Sequence, residues 1–358
     1  FIKKLNRNGM KNMAKVNVII MIGVAGSGKS SLVKELREKS EKVTFSFESD
    51  WYRQHMYGSL EEGNKHNKEV FEKMNEEFFG MVEWCNGLDV ESEIYYDATN
   101  LSRRKRRYLY NTIKRMKCDV KVTALVVFAS LETLFQVNET REEHKRVPKD
   151  VVERMYKNIQ IPRVGADCDT IYMSGESFFS RPIAVHDSRI SVFERLLFSS
   201  NNQNFLKEVE RIEESHNNPH HLESISEHID MCIENANTIT MENVAFFHDL
   251  GKSLCKETFE DGISRYRNHA NVSAYYYLNY IYSANIDSDT YYKQGVLESS
   301  EFANGIFDVA EIIYEHMLGH IGLGDKNIKN NKLSNELIEK IYAFAEIDSK
   351  SRITELKS

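Results

Sequence analysis

The chain has 358 residues, 41% hydrophobic and 28% charged, which fits a soluble globular protein long enough for two domains, each with its own core. No run of about 18 apolar residues occurs, so no membrane span is expected. The net charge of −7 divides unevenly, +5 over residues 1–174 and −12 over 175–358, so the front half can hold a polyanion and the back half only locally, with bound metal.

Residues 1–15 are basic and polar and form an N-terminal extension without a secretory pattern, with Met10 or Met13 as the expected natural start. Cys85, Cys118, Cys168, Cys232 and Cys255 show no paired spacing and read as reduced thiols of a cytoplasmic protein. From residue 16 to 174 strand-like and helix-like segments alternate, predicting a parallel sheet with flanking helices. Strands are expected at Val16–Ile22, Val43–Phe47, Glu93–Ala98, Val122–Ala129 and Thr170–Met173. Helices are expected at Ser30–Lys39, Lys65–Trp84, Arg103–Lys117, Leu131–Glu143 and Lys149–Ile159, the last opened by Pro148. The rhythm is lost over 175–190, which reads as a linker, and residues 191–358 read as helical. Helices are expected there at Val192–Phe198, Asn204–Ser215, Ile225–Ala236, Glu242–Asp249, His269–Tyr282, Phe302–His316 and Asn335–Asp348.

Between the first strand and first helix lies Gly23-Val24-Ala25-Gly26-Ser27-Gly28-Lys29-Ser30. Its glycines permit tight turns that let successive amide N–H groups wrap phosphates, with Ser27 inside the wrap. Lys29 reaches the β- and γ-phosphates of ATP, and Ser30 ligates Mg²⁺. The second strand ends at Glu48-Ser49-Asp50-Trp51-Tyr52-Arg53. Asp50 there is placed to take a proton from an attacking hydroxyl and Arg53 to hold the acceptor's phosphate. The plain alternative is a helix-capping Asp and a solvated Arg. Asp97-Ala98-Thr99-Asn100 closes the third strand and leads into Arg103-Arg104-Lys105-Arg106-Arg107. This basic run reads either as a nucleic-acid track or as a solvated helix face. Arg141 and Arg146 frame a charged segment that fits a lid over the γ-phosphate, or a surface ion-pair network.

In the back half His228, His248-Asp249, His269, His316 with His320, and Asp348 recur in order, with Leu250-Gly251-Lys252 after the doublet. Imidazole with carboxylate suits Mn, Fe, Co, Ni or Zn, and such a cation can neutralise a phosphoester and generate hydroxide.

Residues 16–174 resemble the kinase module of polynucleotide 5′-kinases, through GVAGSGKS, SDWYRQ, DATNLSRRKRR and the R…RVP segment. The resemblance implies that Asp50 activates a 5′-hydroxyl and that Arg53 contacts both Asp50 and the acceptor phosphate. It places Thr99, and with it Asn100, Arg103 and Arg104, at the polynucleotide. It matches Arg141 best to the lid arginine, with Arg146 as competitor. Residues 191–358 resemble the HD phosphohydrolase superfamily. That resemblance implies a first metal held by His228, His248, Asp249 and Asp348. It implies extra ligands in His269 and His316 for a second ion, and Lys252 at the substrate phosphate; His320 and His221 read equally as substrate-facing or as satisfied surface side chains. Together the halves resemble bifunctional RNA-repair enzymes that phosphorylate 5′-OH ends of RNA or DNA and remove 2′,3′-cyclic or terminal phosphate. A separate ligase then seals, since no KxDG motif occurs. Described fusions place the HD part first, whereas here it comes second. Asp287-Ser288-Asp289-Thr290 lacks the glycine of a DxDGT phosphatase. The alternatives are a nucleoside or small-alcohol kinase fused to a nucleotide phosphohydrolase, and an HD half that only binds nucleotide or RNA.

Overall fold

The computed structural model describes residues 15–88, 91–187, 189–218, 221–284 and 301–353, with side chains from 305 in the last stretch. Residues 1–14 of the extension expected over 1–15, and the Asp287–Thr290 segment, lie outside the described residues. Five strands form one parallel sheet: β1 (Val16–Ile22), β2 (Val43–Glu48), β3 (Ser92–Asp97), β4 (Val120–Phe128) and β5 (Thr170–Gly175), in the order β2-β3-β1-β4-β5. β1 is apolar almost throughout because both of its faces are covered, as parallel sheets require. Val18 and Ile20 pack toward α4 (Asn67–Gly87) and α5 (Arg103–Arg115). Ile19 and Met21 pack against Val33 of α1 (Lys29–Lys39), on the other face.

Two helices follow β2 that the sequence reading lacks, α2 (Ser49–Tyr57) and α3 (Leu60–Lys65), joined at Gly58 in the left-handed region. After β4 come α6 (Leu131–Thr140) and α7 (Lys149–Lys157). α6 stops three residues before its expected end, because Arg141 takes an extended conformation.

Beyond β5 the described residues form helices and, among the named strands, one two-residue hairpin, β6 (Glu257–Thr258) with β7 (Ser264–Arg265). The helices are α8 (Val192–Ser199), α9 (Gln203–Val209), α10 (Ile225–Asn235), α11 (Ile239–Phe247), α12 (Lys252–Cys255), α13 (His269–Ala284), α14 (Glu301–Ile321), α15 (Asp325–Asn331) and α16 (Asn335–Lys350). Ser191 and Ser224 start α8 and α10 with full capping boxes, each closed by a glutamate three residues on. No described helix is long and apolar enough to cross a membrane.

One buried cluster runs from Ile22, Ala124, Val126 and Phe128 of the sheet through Phe178, Phe179, Ile183 and Val185 to Phe246, Tyr275, Ile313 and Phe344. The stretch read as a linker therefore supplies core residues, and its rhythm is lost because it crosses an interior rather than a solvent gap. Polar contacts reinforce the junction. Tyr275 Oη accepts from the Ala129 amide at 3.0 Å, and Asn279 Oδ1 accepts from the Phe178 amide at 2.8 Å. The N-terminus of α6 is held by two carboxylates from further along the chain. Glu176 accepts from the Ser130 amide at 2.7 Å and Glu208 from the Leu131 amide, where the helix dipole favours negative charge. Burial pushes Glu208 up to about 7, against the hydrogen bonds of Tyr276, the Leu131 amide and Tyr156.

Candidate active sites

The first candidate site lies at the C-terminal edge of the sheet. Gly26 and Gly28 sit at φ +93° and +89°, a region that L side chains rarely adopt, so the loop needs glycine there. At Gly23 a Cβ would stand 2.6 Å from Ser27 Oγ and 2.9 Å from the Val127 carbonyl. Lys29 is buried and donates to the Val24 carbonyl at 2.8 Å. Burial pulls its pKa down to about 8, against the pull of Asp97 and then Asp50. Ser30, beside it, is exposed at the start of α1.

Asp97 is a residue the sequence reading named without giving it work. It ends β3, is buried, and has one carboxylate oxygen with no hydrogen-bond partner. Burial raises its pKa, while a hydrogen bond with Ser30 and the charge of Lys29 act against the rise. An acid at a strand's end, facing the loop serine, is where a P-loop site holds Mg²⁺. The signal was legible as an aspartate closing the apolar Ile94-Tyr95-Tyr96.

Asp50 stands in the first turn of α2, its side chain 62% exposed, and is paired with Arg53 at 2.6 Å. Arg53 is held in turn by Asn67 Oδ1 at 2.9 Å and Ser49 Oγ at 3.1 Å. Gly63 leaves room for it, since a Cβ there would come within 2.5 Å of Arg53 Cβ. The arginine is thus pre-set by α3 and α4 and presents its charge beside an open carboxylate. Arg141 ends α6 and is close enough for its charge to depress Lys29 further. Arg146 is exposed and donates to the Arg141 carbonyl at 2.9 Å. Asn138 closes this lid segment by bonding both the amide and the carbonyl of Val147.

Two of the residues expected at a polynucleotide have other tasks. Asn100 is buried at φ +45°, and its amide donates to the carbonyls of Met21 and Ala98, so it braces the sheet edge. Arg103 is buried in a two-pronged bond to Glu311 of α14, at 2.8 and 3.0 Å, beneath the ring of Tyr314. Arg106 is likewise buried, on Asp167. Thr99 is half-buried and its carbonyl accepts from the Gly23 amide at 3.1 Å. Arg104 remains exposed.

The second candidate site is a buried knot of histidine and aspartate. α10 supplies His228, the end of α11 His248 and Asp249, the start of α13 His269, α14 His316 and α16 Asp348. Their ligand atoms form two groups, His228, His248, Asp348 with Cys232, and Asp249, His269, His316, each within 4.8 Å. Asp249 joins the groups. Its Oδ2 lies 3.2 Å from His248 Nε2 and 3.6 Å from His228 Nε2, and its Oδ1 lies 3.2 Å from His269 Nε2 and 3.9 Å from His316 Nε2.

The donor set fits metal ions. His228, His248, His269 and His316 each point Nδ1 at a backbone carbonyl, of Ser351, Ala245, Tyr266 and Ile313, at 2.7–2.9 Å. A carbonyl can only accept, so each Nδ1 carries the hydrogen and a neutral ring turns the lone pair of Nε2 inward. The Nε2 atoms of His269 and His316 then face each other at 3.1 Å. His248 Nε2 and Asp249 Oδ1 are buried with no hydrogen bond. Lone pairs converging in a buried site repel unless a cation lies among them. Burial, then neighbouring His269 and His248, pushes His316 down to about 3, which leaves it neutral as a ligand must be.

Lys252 is buried with Nζ at 2.6 Å from Asp249 Oδ2 and 3.2 Å from His216 Nε2. His216 was missed from sequence; it is fully buried and stacks on His221. His221 itself is held by Glu223 at 2.6 Å, and is therefore not a surface side chain. His320 also has a definite partner, Asp348 Oδ2 at 2.7 Å, and so orients a candidate ligand.

Comparisons with known proteins bear on the front half. A family model described as an AAA domain matches residues 18–162. The matched stretch holds the phosphate loop and most of the five-stranded parallel sheet. No curated protein matches the chain in sequence. Among solved structures, a chain of the Pnkp1/Rnl/Hen1 complex is 15% identical with a TM-score of 0.29, over 39% of this chain and 47% of that one, so this chain spans about half of its length. Kti12 of Chaetomium thermophilum, solved with ADP-AlF3, is 15% identical with a TM-score of 0.31, over 44% of this chain and 87% of that one. A gluconokinase of Sinorhizobium meliloti is 16% identical with a TM-score of 0.30, over 44% and 82%.

Proposed function

We propose that the protein heals broken nucleic-acid ends. The P-loop half phosphorylates a 5′-hydroxyl with ATP, and the helical half, read as an HD-type phosphohydrolase, removes 2′,3′-cyclic or terminal phosphate from the opposite end. The observation that carries the reading is the coexistence in one folded body of an open carboxylate–arginine pair beside a triphosphate loop and a buried histidine–aspartate knot built for cations.

In the kinase step Asp50 takes the proton of the acceptor hydroxyl as its oxygen bonds to the γ-phosphorus and the bond to the ADP oxygen breaks. Arg53, already fixed beside Asp50, orients the acceptor through its first phosphate. Lys29 and Arg141 neutralise the transferring group, and Ser30 with Asp97 would hold Mg²⁺. Water is limited by closure of the segment between Asn138 and Val147.

In the helical half His228, His248, Asp348 and Asp249 would hold one ion and Asp249, His269 and His316 a second. Such ions supply charge neutralisation and an activated water at neutral pH. His320 orients Asp348, and Lys252, tethered by Asp249 and His216, keeps a positive charge at the rim for the substrate phosphate.

The test is an RNA oligomer with a 5′-hydroxyl and a 2′,3′-cyclic phosphate, incubated with ATP·Mg²⁺ and, separately, with Mn²⁺, Co²⁺, Ni²⁺, Zn²⁺ or Fe²⁺. Expected are 5′-phosphorylation with Mg²⁺ and 3′-end dephosphorylation with at least one transition metal. An inert oligomer alongside reactive free nucleosides overturns the repair reading in favour of a small-molecule kinase.

A further inference from the structure

We infer that the cleft between α5 and the α14–α15 corner binds the phosphodiester backbone of the strand whose end is processed, an inference that rests on the polynucleotide reading above. The cleft has a volume of about 480 Å³ and is walled by both halves of the chain. Arg104, Arg107 and Gln160 line it from the kinase side, and Tyr314, Lys326 and Asn330 from the helical side.

Its charge is one-signed where a ligand would lie. Arg104 and Lys326 are exposed, and among the described residues none of Arg104, Arg107 and Lys326 has an ion-pair partner. The carboxylates beneath them are otherwise engaged. Glu311 holds Arg103, and Glu315 accepts from Asn327 and Asn331 at 3.0 Å each. Three cations from elements more than 200 positions apart in the chain thus meet in one cavity without a compensating acid. A solvated helix face explains Arg104 and Arg107, but it does not explain why Lys326 is brought opposite them.

The cleft also adjoins elements that serve both centres. α5 starts three residues after Asn100, whose neighbour Thr99 contacts the phosphate loop. On α14, Tyr314 and Leu318 line the cleft, while His316, about 200° round the helix from Tyr314, points into the metal knot. A strand lying here would neutralise cations of both halves and leave its terminus free for either site. Gln160, half-buried with its oxygen accepting from the Arg103 amide, still has its amide N–H groups to offer a phosphate oxygen.

The experiment compares a 12-nucleotide 5′-OH oligomer with a 5′-OH dinucleotide as kinase acceptors, for the wild type, Lys326→Glu and Arg104→Gln, with melting checked for each. Expected for Lys326→Glu is a KM for the 12-mer raised by about tenfold, and a salt slope of kcat/KM reduced by roughly one counter-ion. The dinucleotide KM, the ATP KM and kcat should stay within about twofold, because a dinucleotide does not reach the cleft. Arg104→Gln should repeat the length dependence at smaller amplitude. An unchanged 12-mer KM in Lys326→Glu, or equal losses on both acceptors, overturns the cleft proposal while leaving the repair reading intact. A wild type that phosphorylates neither acceptor overturns the repair reading and the cleft with it.

Discussion

The two centres are built on opposite plans. Asp50 of the P-loop site is 62% exposed, whereas Asp249 of the histidine–aspartate knot is 2% exposed. The P-loop site leaves the Asp50 carboxylate open, whereas the knot encloses every one of its donors. The knot is assembled in advance by α10, α11, α13, α14 and α16, and its unsatisfied lone pairs are a standing cost that a cation would remove. An open site of this kind depends on what approaches it, and a closed one on what is already inside.

Changing the bridging carboxylate is the strongest way to break that contrast. Asp249→Asn should lower metal-dependent phosphate release by about a thousandfold, the several kcal/mol that a cation supplies at a phosphoryl oxygen. It should also abolish the rise in melting temperature on adding Mn²⁺ or Co²⁺, which for the wild type would correspond to about 2.7 kcal/mol at a hundredfold excess over Kd. The kinase rate should stay within about twofold. A retained metal-induced shift would show that Asp249 does not hold the ion.

Lys29→Met should lower the kinase rate by roughly 10²–10³, the size of a lost charge at the transition state, and spare hydrolysis. Its stability sharpens the comparison. Lys29 titrates near 8 in the fold against an ordinary 10.5. Between those values the unfolded chain holds more protons, so the wild type gains stability as pH rises from 8 to 10.5. Below pH 8 the buried charge costs on the order of 3 kcal/mol. The variant should therefore be the more stable protein at pH 7, with the gap closing by pH 10.5, as followed by denaturant unfolding. A gap independent of pH would contradict the burial argument.

Arg103→Ala tests whether that residue belongs to the substrate or to the frame. Leaving Glu311 buried with only the more distant Arg163, at 3.7 Å, should destabilise the protein by about 3 kcal/mol, seen as one lowered melting transition with both activities lost together. Arg103→Met combined with Glu311→Leu should recover most of it. A fold of normal stability with weakened oligomer binding would instead restore the sequence-based assignment.

Much of the front half was legible because its signals are local. The apolar run Val16–Ile22, the three glycines and the alternation of strand and helix depend on near neighbours, and the five strands lie where they were expected to within two residues. α2 and α3 escaped because Ser49–Lys65 mixes polar and aromatic residues without a clean stripe and is broken at Gly58. The basic run misled for a different reason. A charge run normally reads as solvated, yet Arg103 and Arg106 are drawn inward by Glu311 and Asp167, 208 and 61 positions away. The order of histidines and aspartates identified the residues that converge. It could not reveal His216, which holds Lys252, and it left open the work of His320, which is bonded to Asp348.

The helix α13 starts with His269 in the metal knot and two turns later grips the segment that opens α6 through Tyr275 and Tyr276, the latter bonded to Glu208. Neither centre can be excised without tearing the wall of the other. A lesion that loosens α13 therefore reaches both halves at once.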